Sequence, residues 1–334
     1  MTIRVTHYGL GPIGTGILRQ VATRKGFKVV SGIDIDPAKV GKDLGEIAGL
    51  DRRLGVRVTD DPVEAIRKTK PDVVVLCTLS SLRAVMPQIE TVLRLRVPIV
   101  STTEELAYPY RTNRSLARKI DALATKAKVA VVGTGVNPGF VMDALPIVLT
   151  GACERVDAIR IERIQDARIR RLPFQQKIGA GLTVAQFEER VAAGTVRHVG
   201  LTESIAMIAD ALGWKMSKIT DTIKPKVAKA QVASDYLTVQ AGLVCGLLQD
   251  GIGYTQDGVP AITLHMEAYL GAPESYDAVT ITGNPNLTSR VQGGFHGDLV
   301  TASVAVNTIP KILTAPPGLR TMRDIALPSF YSGK

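Results

Sequence analysis

Short runs of β-branched and aliphatic residues alternate with amphipathic stretches over the first part of the chain. Ile3–Tyr8, Lys28–Ile33, Val73–Cys77, Pro98–Ser101 and Lys128–Val132 read as strands, and three of them are almost wholly apolar. A strand with no polar face is buried on both sides, which points to a parallel sheet covered by helices. Ile13–Arg24, Leu82–Arg94 and Arg111–Ala127 repeat apolar residues at helical spacing, as Leu116, Ile120 and Leu123 do. The alternation predicts an α/β domain of the doubly wound, Rossmann type over residues 1–150.

Longer strand-like segments follow at Val156–Ile164, Tyr236–Leu248, Ala261–Leu270 and Ala278–Thr282, broken by helical patterns at Thr183–Ala193 and Thr202–Leu212. They predict a second, α+β domain over 151–296 with a mostly antiparallel sheet. Leu299–Ile309 reads as a helix stopped by Pro310, and residues 297–334 are expected to return to the first domain, with the tail from Pro316 wrapping a surface.

Composition narrows the class. With 334 residues, 45% hydrophobic and 22% charged, the chain is an ordinary globular protein rather than a disordered one. No apolar run approaches the roughly 18 residues of a membrane span. The opening MTIRVTHYGLGPIG lacks a signal-peptide core, so a cytoplasmic location is expected. Cys77, Cys153 and Cys245 form no CxxC pair, and His7, His198, His265 and His296 form no HExxH, so neither a disulfide nor a metal is expected. The net charge of +10 is densest at Arg155, Arg160, Arg163, Arg168, Arg170, Arg171 and Lys177, interleaved with Asp157, Glu162 and Asp166. Only Phe174 lies nearby as an aromatic, so the segment reads as a solvated, salt-bridged strand face and not a nucleic-acid surface. Arg170, Arg171 or Lys177 is alternatively placed to meet a substrate carboxylate.

Gly9-Leu10-Gly11-Pro12-Ile13-Gly14 follows the first strand directly and opens a helix, the context a dinucleotide turn requires. Gly9 permits the tight turn, Gly11 lets the backbone approach a pyrophosphate, Gly14 lets helix and strand pack, and Pro12 and Ile13 begin the helix whose N–H groups face the anion. Asp34 follows Gly14 by 20 positions, at the end of the second strand, where an acid meets ribose hydroxyls. It favours NAD, while Lys39 and Lys42 leave NADP open as a second cofactor. The alternative is a solvated turn aspartate before Pro37.

Ligands of open α/β sheets lie beyond the carboxyl ends of the strands. Cys77, Thr78, Ser80 and Ser81 are placed there for the cofactor, although Ser80 or Ser81 also suits a helix cap. Next comes Ser101-Thr102-Thr103-Glu104-Glu105, in which either glutamate fits a capping box or catalysis. Gly133-Thr134-Gly135-Val136-Asn137-Pro138-Gly139-Phe140 ends the series, with Asn137-Pro138 matching an N-cap followed by proline. Neither Tyr108 nor Tyr110 starts a Tyr-x-x-x-Lys pair, which argues against a short-chain alcohol dehydrogenase. An amine substrate instead needs a carboxylate, and Glu104 supplies one. His296, within Gly293-Gly294-Phe295-His296-Gly297, is either structural or close to the active site.

With these residues the chain resembles the dihydrodipicolinate-reductase-like oxidoreductases, and within them the 2,4-diaminopentanoate dehydrogenases and native amine dehydrogenases. The resemblance rests on GLGPIGTG at 9–16, IDIDPAKVGKDLGE at 33–46, STTEELAYP at 101–109, GTGVNPGFVMD at 133–143, RRLPFQQKIGAG at 170–181 and GGFHGDLVTASVAVNTIP at 293–310. It implies a dinucleotide domain, a substrate domain that forms a homodimer, and reversible oxidative deamination of a primary amine or diamino acid with NAD or NADP. It implies that Glu104, rather than Glu105, holds the amine, and that Gly135, Asn137 and Phe140 line the nicotinamide side. No adjacent histidine pair is present, which argues against dihydrodipicolinate reductase activity proper. Two other readings are a dihydrodipicolinate-type imine reductase and a non-catalytic NAD(P)-sensing regulator whose charge attracts nucleic acid.

Overall fold

The computed structural model describes residues 2–333. In chain order its elements are β1 (Ile3–Tyr8), α1 (Pro12–Thr23), β2 (Phe27–Ile33), α2 (Leu44–Ile47), β3 (Val58–Thr59), α3 (Pro62–Thr69), β4 (Val73–Leu76), α4 (Leu82–Arg94), β5 (Ile99–Ser101), α5 (Arg114–Ala127) and β6 (Ala130–Gly133). There follow α6 (Ala144–Thr150), β7 (Arg155–Asp166), α7 (Leu172–Lys177), α8 (Val184–Ala192), α9 (Leu201–Ala211), β8 (Lys218–Val227), β9 (Val232–Ala233), β10 (Thr238–Val239), β11 (Val244–Tyr254), β12 (Pro260–Tyr269), β13 (Tyr276–Asn284) and β14 (Leu287–Gln292). The chain closes with α10 (Gly297–Ile312) and β15 (Gly318–Arg320). Two units result, Met1–Phe140 with His296–Lys334, and Val141–Phe295.

The apolar runs of the first unit become the centre of a wholly parallel sheet ordered β15-β6-β5-β4-β1-β2-β3. Every residue of β4, β5 and β6 is buried, as expected of strands covered on both faces. Strand order reverses between β1 and β4, which makes their carboxyl ends the ligand crevice of such a fold. The two edge strands, of two and three residues, are too short to leave a periodic pattern. Helix α10 packs on α1 through small residues, a Cβ on Gly16 lying 3.7 Å from Ala302, and through Arg24 Nη1 donating to Asn307 Oδ1 at 2.8 Å. It does not stop at Pro310 but runs to Ile312. Proline removes one backbone donor, and so close to the helix end few bonds remain to be lost. Beyond β15 the tail lies on the same unit, where the Tyr331 ring meets Phe27 edge-on at 5.2 Å.

The second unit carries a mixed sheet ordered β14-β13-β7-β12-β11-β8, antiparallel except for the β12–β7 pair. Tyr236–Leu248 is not one strand. The chain turns at Gly242, whose φ of +86° favours glycine, between β10 and β11. β11 then continues to Tyr254 because Leu247, Gln249, Gly251 and Gly253 keep one face toward α9, where a Cβ on Gly251 would lie 3.0 Å from Ile205.

The basic segment is a solvated face only in part. Arg155 pairs with Asp157 at 2.9 Å and Arg160 with Glu162 at 3.0 Å, both at the surface. Arg163 is 2% exposed. Its Nη1 donates to Asp277 Oδ1 at 2.7 Å and its Nη2 to the Phe295 carbonyl at 2.9 Å, while Phe295 N–H donates to Asp277 Oδ2 at 2.7 Å. The parity of β7 explains it: Ile159, Ile161, Arg163 and Gln165 share the buried side. Burial lowers the Arg163 pKa and raises that of Asp277, and their mutual attraction opposes both shifts. Among the described residues, no helix is long and apolar enough to cross a membrane.

Candidate active site

The glycine turn is built as the spacing requires. Gly9 has φ +94°, and a Cβ there would lie 2.5 Å from the Cys77 carbonyl oxygen; one on Gly14 would lie 2.0 Å from the Gly9 oxygen. Both positions therefore exclude a side chain for packing reasons. A Cβ on Gly11 meets nothing within 4 Å, so the space beside the α1 N-terminus is open at the one glycine a ligand would approach. Gly11 is also the N-cap of α1, with Pro12 in its first turn and no side chain across the first N–H groups. That cradle fits a pyrophosphate.

Asp34 is tied to this turn. Its Oδ2 accepts from Leu10 N–H at 2.7 Å, its Oδ1 accepts from Asp36 N–H at 2.9 Å, and Lys39 Nζ reaches Oδ2 at 3.4 Å. Lys42 turns instead to Glu46, at 3.5 Å. Of the two lysines that the sequence sets near Asp34, Lys39 is the one bonded to it.

On the other side of the reversal, Thr78 Oγ1 donates to Gln88 at 2.6 Å, and burial pushes the Cys77 thiol up to about 12. Ser80 is exposed and Ser81 is the N-cap of α4, yet no side chain of its own caps that helix. The cap comes from Glu105, whose Oε2 accepts from Leu82 N–H at 2.8 Å. Neither glutamate forms the capping box that the sequence offers. Glu104–Leu106 is a single 3-10 turn, begun at Thr103 without a side-chain cap. That turn is fixed from two sides. Thr103 Oγ1 donates to the Leu79 carbonyl at 2.8 Å, and a Cβ on Gly133 would lie 2.5 Å from the Leu106 backbone. Glu104 thus stands, partly buried, at the carboxyl end of β5 between the ends of β4 and β6.

Residues 134–143 form successive turns rather than a helix opened by Asn137-Pro138. Gly139, at φ +119°, breaks any helical path, and α6 starts only at Ala144 with Asp143 as its cap. Val136 N–H donates to Thr301 Oγ1 at 3.2 Å, a support from α10 that nothing in the local sequence announces. Gly135 lies beside the same threonine, its added Cβ 3.6 Å from the methyl; Asn137 is buried and Phe140 partly exposed. His296 is exposed and caps α10, its Nδ1 accepting from Leu299 N–H at 3.4 Å.

In the second unit a cationic group surrounds His198. Burial, then Lys177, Arg163 and Arg170, push its pKa down to about 3. Arg170 is buried, donates to Gln165 Oε1 at 3.2 Å and lies 4.0 Å over the Phe174 ring. Gln249 clamps the His198 backbone, accepting from its N–H at 2.8 Å and donating to its carbonyl at 3.0 Å.

Residues 140–334 match the model of the 2,4-diaminopentanoate dehydrogenase C-terminal domain, and residues 3–132 match that of the dihydrodipicolinate reductase N-terminus. The chain belongs to the 2,4-diaminopentanoate dehydrogenase family. It is 34% identical to the 2,4-diaminopentanoate dehydrogenase of Acetoanaerobium sticklandii, over 99% of this chain and 95% of that one. It is 25% identical to an amine dehydrogenase of Streptomyces virginiae, over 96% and 95% of the two chains. The solved amine dehydrogenase from Mycobacterium smegmatis superposes with a TM-score of 0.88 at 27% identity, covering 100% of this chain and 99% of that one. The family is one of NAD(P)-dependent oxidoreductases, and the expected fold and enzyme class agree with these matches.

Proposed function

We propose that this chain is an amine dehydrogenase that interconverts a primary amine, or a diamino acid, with the carbonyl compound and ammonia. One observation carries the reading: Glu104 stands partly buried at the carboxyl end of β5, on a turn held by Thr103 and packed against Gly133, between the ends of β4 and β6 where the crevice of such a sheet lies. A dinucleotide bound at the Gly9–Gly14 turn would supply the hydride acceptor. Glu104 holds the neutral amine while hydride leaves its carbon, then takes the proton of the water that adds to the resulting iminium. The carbinolamine collapses to carbonyl and ammonia. Gly135, Asn137 and Phe140 form the wall on the nicotinamide side, and His296 belongs to the rim.

NAD is the preferred cofactor in this reading, because Asp34 disfavours a 2′-phosphate; Cys77, Thr78, Ser80 and Ser81 line the cofactor side by their backbone and exposed edges. The first unit is the dinucleotide domain, and the second binds substrate and pairs two copies into a homodimer in the cytoplasm. On the sheet face opposite α9, Asp250, His265, Glu267 and Lys226 join in a chain of contacts between 2.7 and 3.1 Å. The function is tested by ammonia-dependent oxidation of NADH and NADPH with a panel of ketones, aldehydes and keto amino acids. Turnover is expected; nucleotide binding and salt-sensitive DNA retention without turnover would favour the regulator instead.

A further inference from the structure

A carboxylate offers about four acceptor sites, and a ribose diol gripped by both hydroxyls uses two of them. Three are already used at Asp34: Leu10 N–H and Lys39 Nζ on Oδ2, at 2.7 and 3.4 Å, and Asp36 N–H on Oδ1 at 2.9 Å. The two backbone donors belong to the glycine turn and to the bend after β2, so neither can leave without moving the chain. Lys39 can leave. Its side chain is 27% exposed, its contact with Asp34 is the longest of the three, and its ammonium has a second anchor in Asp36 Oδ2 at 3.2 Å.

We infer that Lys39 sets the choice between the two dinucleotides, its ammonium moving off Asp34 to admit an unphosphorylated ribose and moving onto the phosphate when a 2′-phosphate is present. The proposal rests on the reading of the Gly9–Gly14 turn and Asp34 as the dinucleotide site. Charge gives its logic. Asp34, Asp36 and Lys39 together carry one negative charge, which repels a phosphate unless the ammonium faces it directly. With Lys39 turned to the phosphate, Asp34 keeps its bond to Leu10 and gives up only a weak partner. With NAD, the same lysine competes with the ribose hydroxyls for Oδ2. One side chain therefore favours one cofactor and opposes the other, which distinguishes it from a general attraction of positive charge for anionic nucleotides.

The experiment is a fluorescence titration of the full-length protein with NADH and with NADPH, without substrate, so that binding is read apart from turnover. In Lys39→Met the dissociation constant for NADPH should rise at least about tenfold, the loss of one charge-assisted bond. The constant for NADH should stay level or fall. Lys39→Arg should keep NADPH binding. Lys42→Met, which removes the same charge from a residue paired with Glu46, should move both constants by a similar small factor. If Lys39→Met weakens NADH and NADPH equally, in the manner of Lys42→Met, the discriminating role is wrong while the dinucleotide site stands. If the wild-type protein binds neither nucleotide, the site reading itself fails, and the role of Lys39 with it.

Discussion

In the first unit, β4, β5 and β6 bury aliphatic side chains almost without exception, and the polar groups gather beyond strand carboxyl ends, at Asp34 after β2 and at Thr78, Glu104 and Asn137 after β4, β5 and β6. In the second unit the sheet interior itself holds Arg163, Gln165, Gln249 and Asp277. The first arrangement keeps aliphatic core and polar groups in separate places: strands make the core, and strand ends make the candidate site. The second uses polar groups as structural ties. Arg163 and Asp277 grip both sides of the Phe295 peptide, and Gln249 grips both sides of His198. A buried polar group is tolerated when every bond is made, and its loss then costs the desolvation of whatever it leaves behind.

The largest effect should come from the adjacent glutamates, which repeat this contrast on a small scale. Glu104→Gln should lower kcat by about 10²–10⁴, the usual worth of a positioned acid or base, with nucleotide dissociation constants unchanged. Glu105→Ala should leave most of kcat and reduce stability by about 1 kcal/mol, the worth of a helix cap, read as a shift in the urea midpoint. Loss of turnover in Glu105→Ala with retention in Glu104→Gln would exchange the two roles.

The sequence carries the first unit well for a physical reason. All-apolar strands, a glycine turn and an acid 20 positions on are local signals, and each appears where its element does. What sets Glu105 apart from Glu104 is not local: its partner, Leu82, is 23 positions away, on α4. In the second unit the misreading of Arg163 had a local remedy. Ile159 and Ile161 fix the buried parity of β7, and Arg163 continues it, so period alone places the arginine inside. Its partner Asp277 lies 114 positions on, which no window of sequence reaches. The break at Gly242 was hidden because Leu237, Val239, Leu243 and Val244 look like one apolar run whether or not the chain turns between them.

Arg163 also provides the next test. Arg163→Met leaves the Asp277 carboxylate buried beside an apolar chain, and breaking such a pair costs about 3–5 kcal/mol. The double variant Arg163→Met with Asp277→Leu should recover most of that loss in chemical denaturation, since no charge is then stranded. A double variant as unstable as the single one would show that the Phe295 peptide, and not the ion pair, carries the energy.

A smaller effect separates the substrate classes. Arg171 and Lys177 are more accessible than Arg170, which is packed over Phe174, so they test charge recognition with less damage to the core. If a diamino acid is the substrate, Arg171→Ala or Lys177→Ala should raise its KM by about 10-fold, equivalent to roughly 1.5 kcal/mol for a charged hydrogen bond, and leave simple amines unaffected. Unchanged KM for both in both variants would leave a carboxylate without a partner in this segment.

The smallest effect compares one histidine from each unit. His7, on β1, is fully buried with neither ring nitrogen partnered among the described residues, and burial alone pushes its pKa down to about 3. His198 is pushed down to about 3 as well, by burial first and then by Lys177, Arg163 and Arg170. For both, the folded pKa lies below the unfolded value near 6.5, so on acidification the unfolded chain takes up a proton before the native protein does. Stability should therefore fall as pH drops through that window, by about 1 kcal/mol per histidine between pH 6.5 and 5.5, and recover as pH rises. Lys177→Met tells the two apart. It should raise the pKa of His198, followed by the NMR shift of its ring protons, and leave that of His7 where it was. Equal movement of both would trace the shifts to a loosening of the whole fold, and two histidines titrating near 6.5 in the wild-type protein would refute their burial in the neutral form.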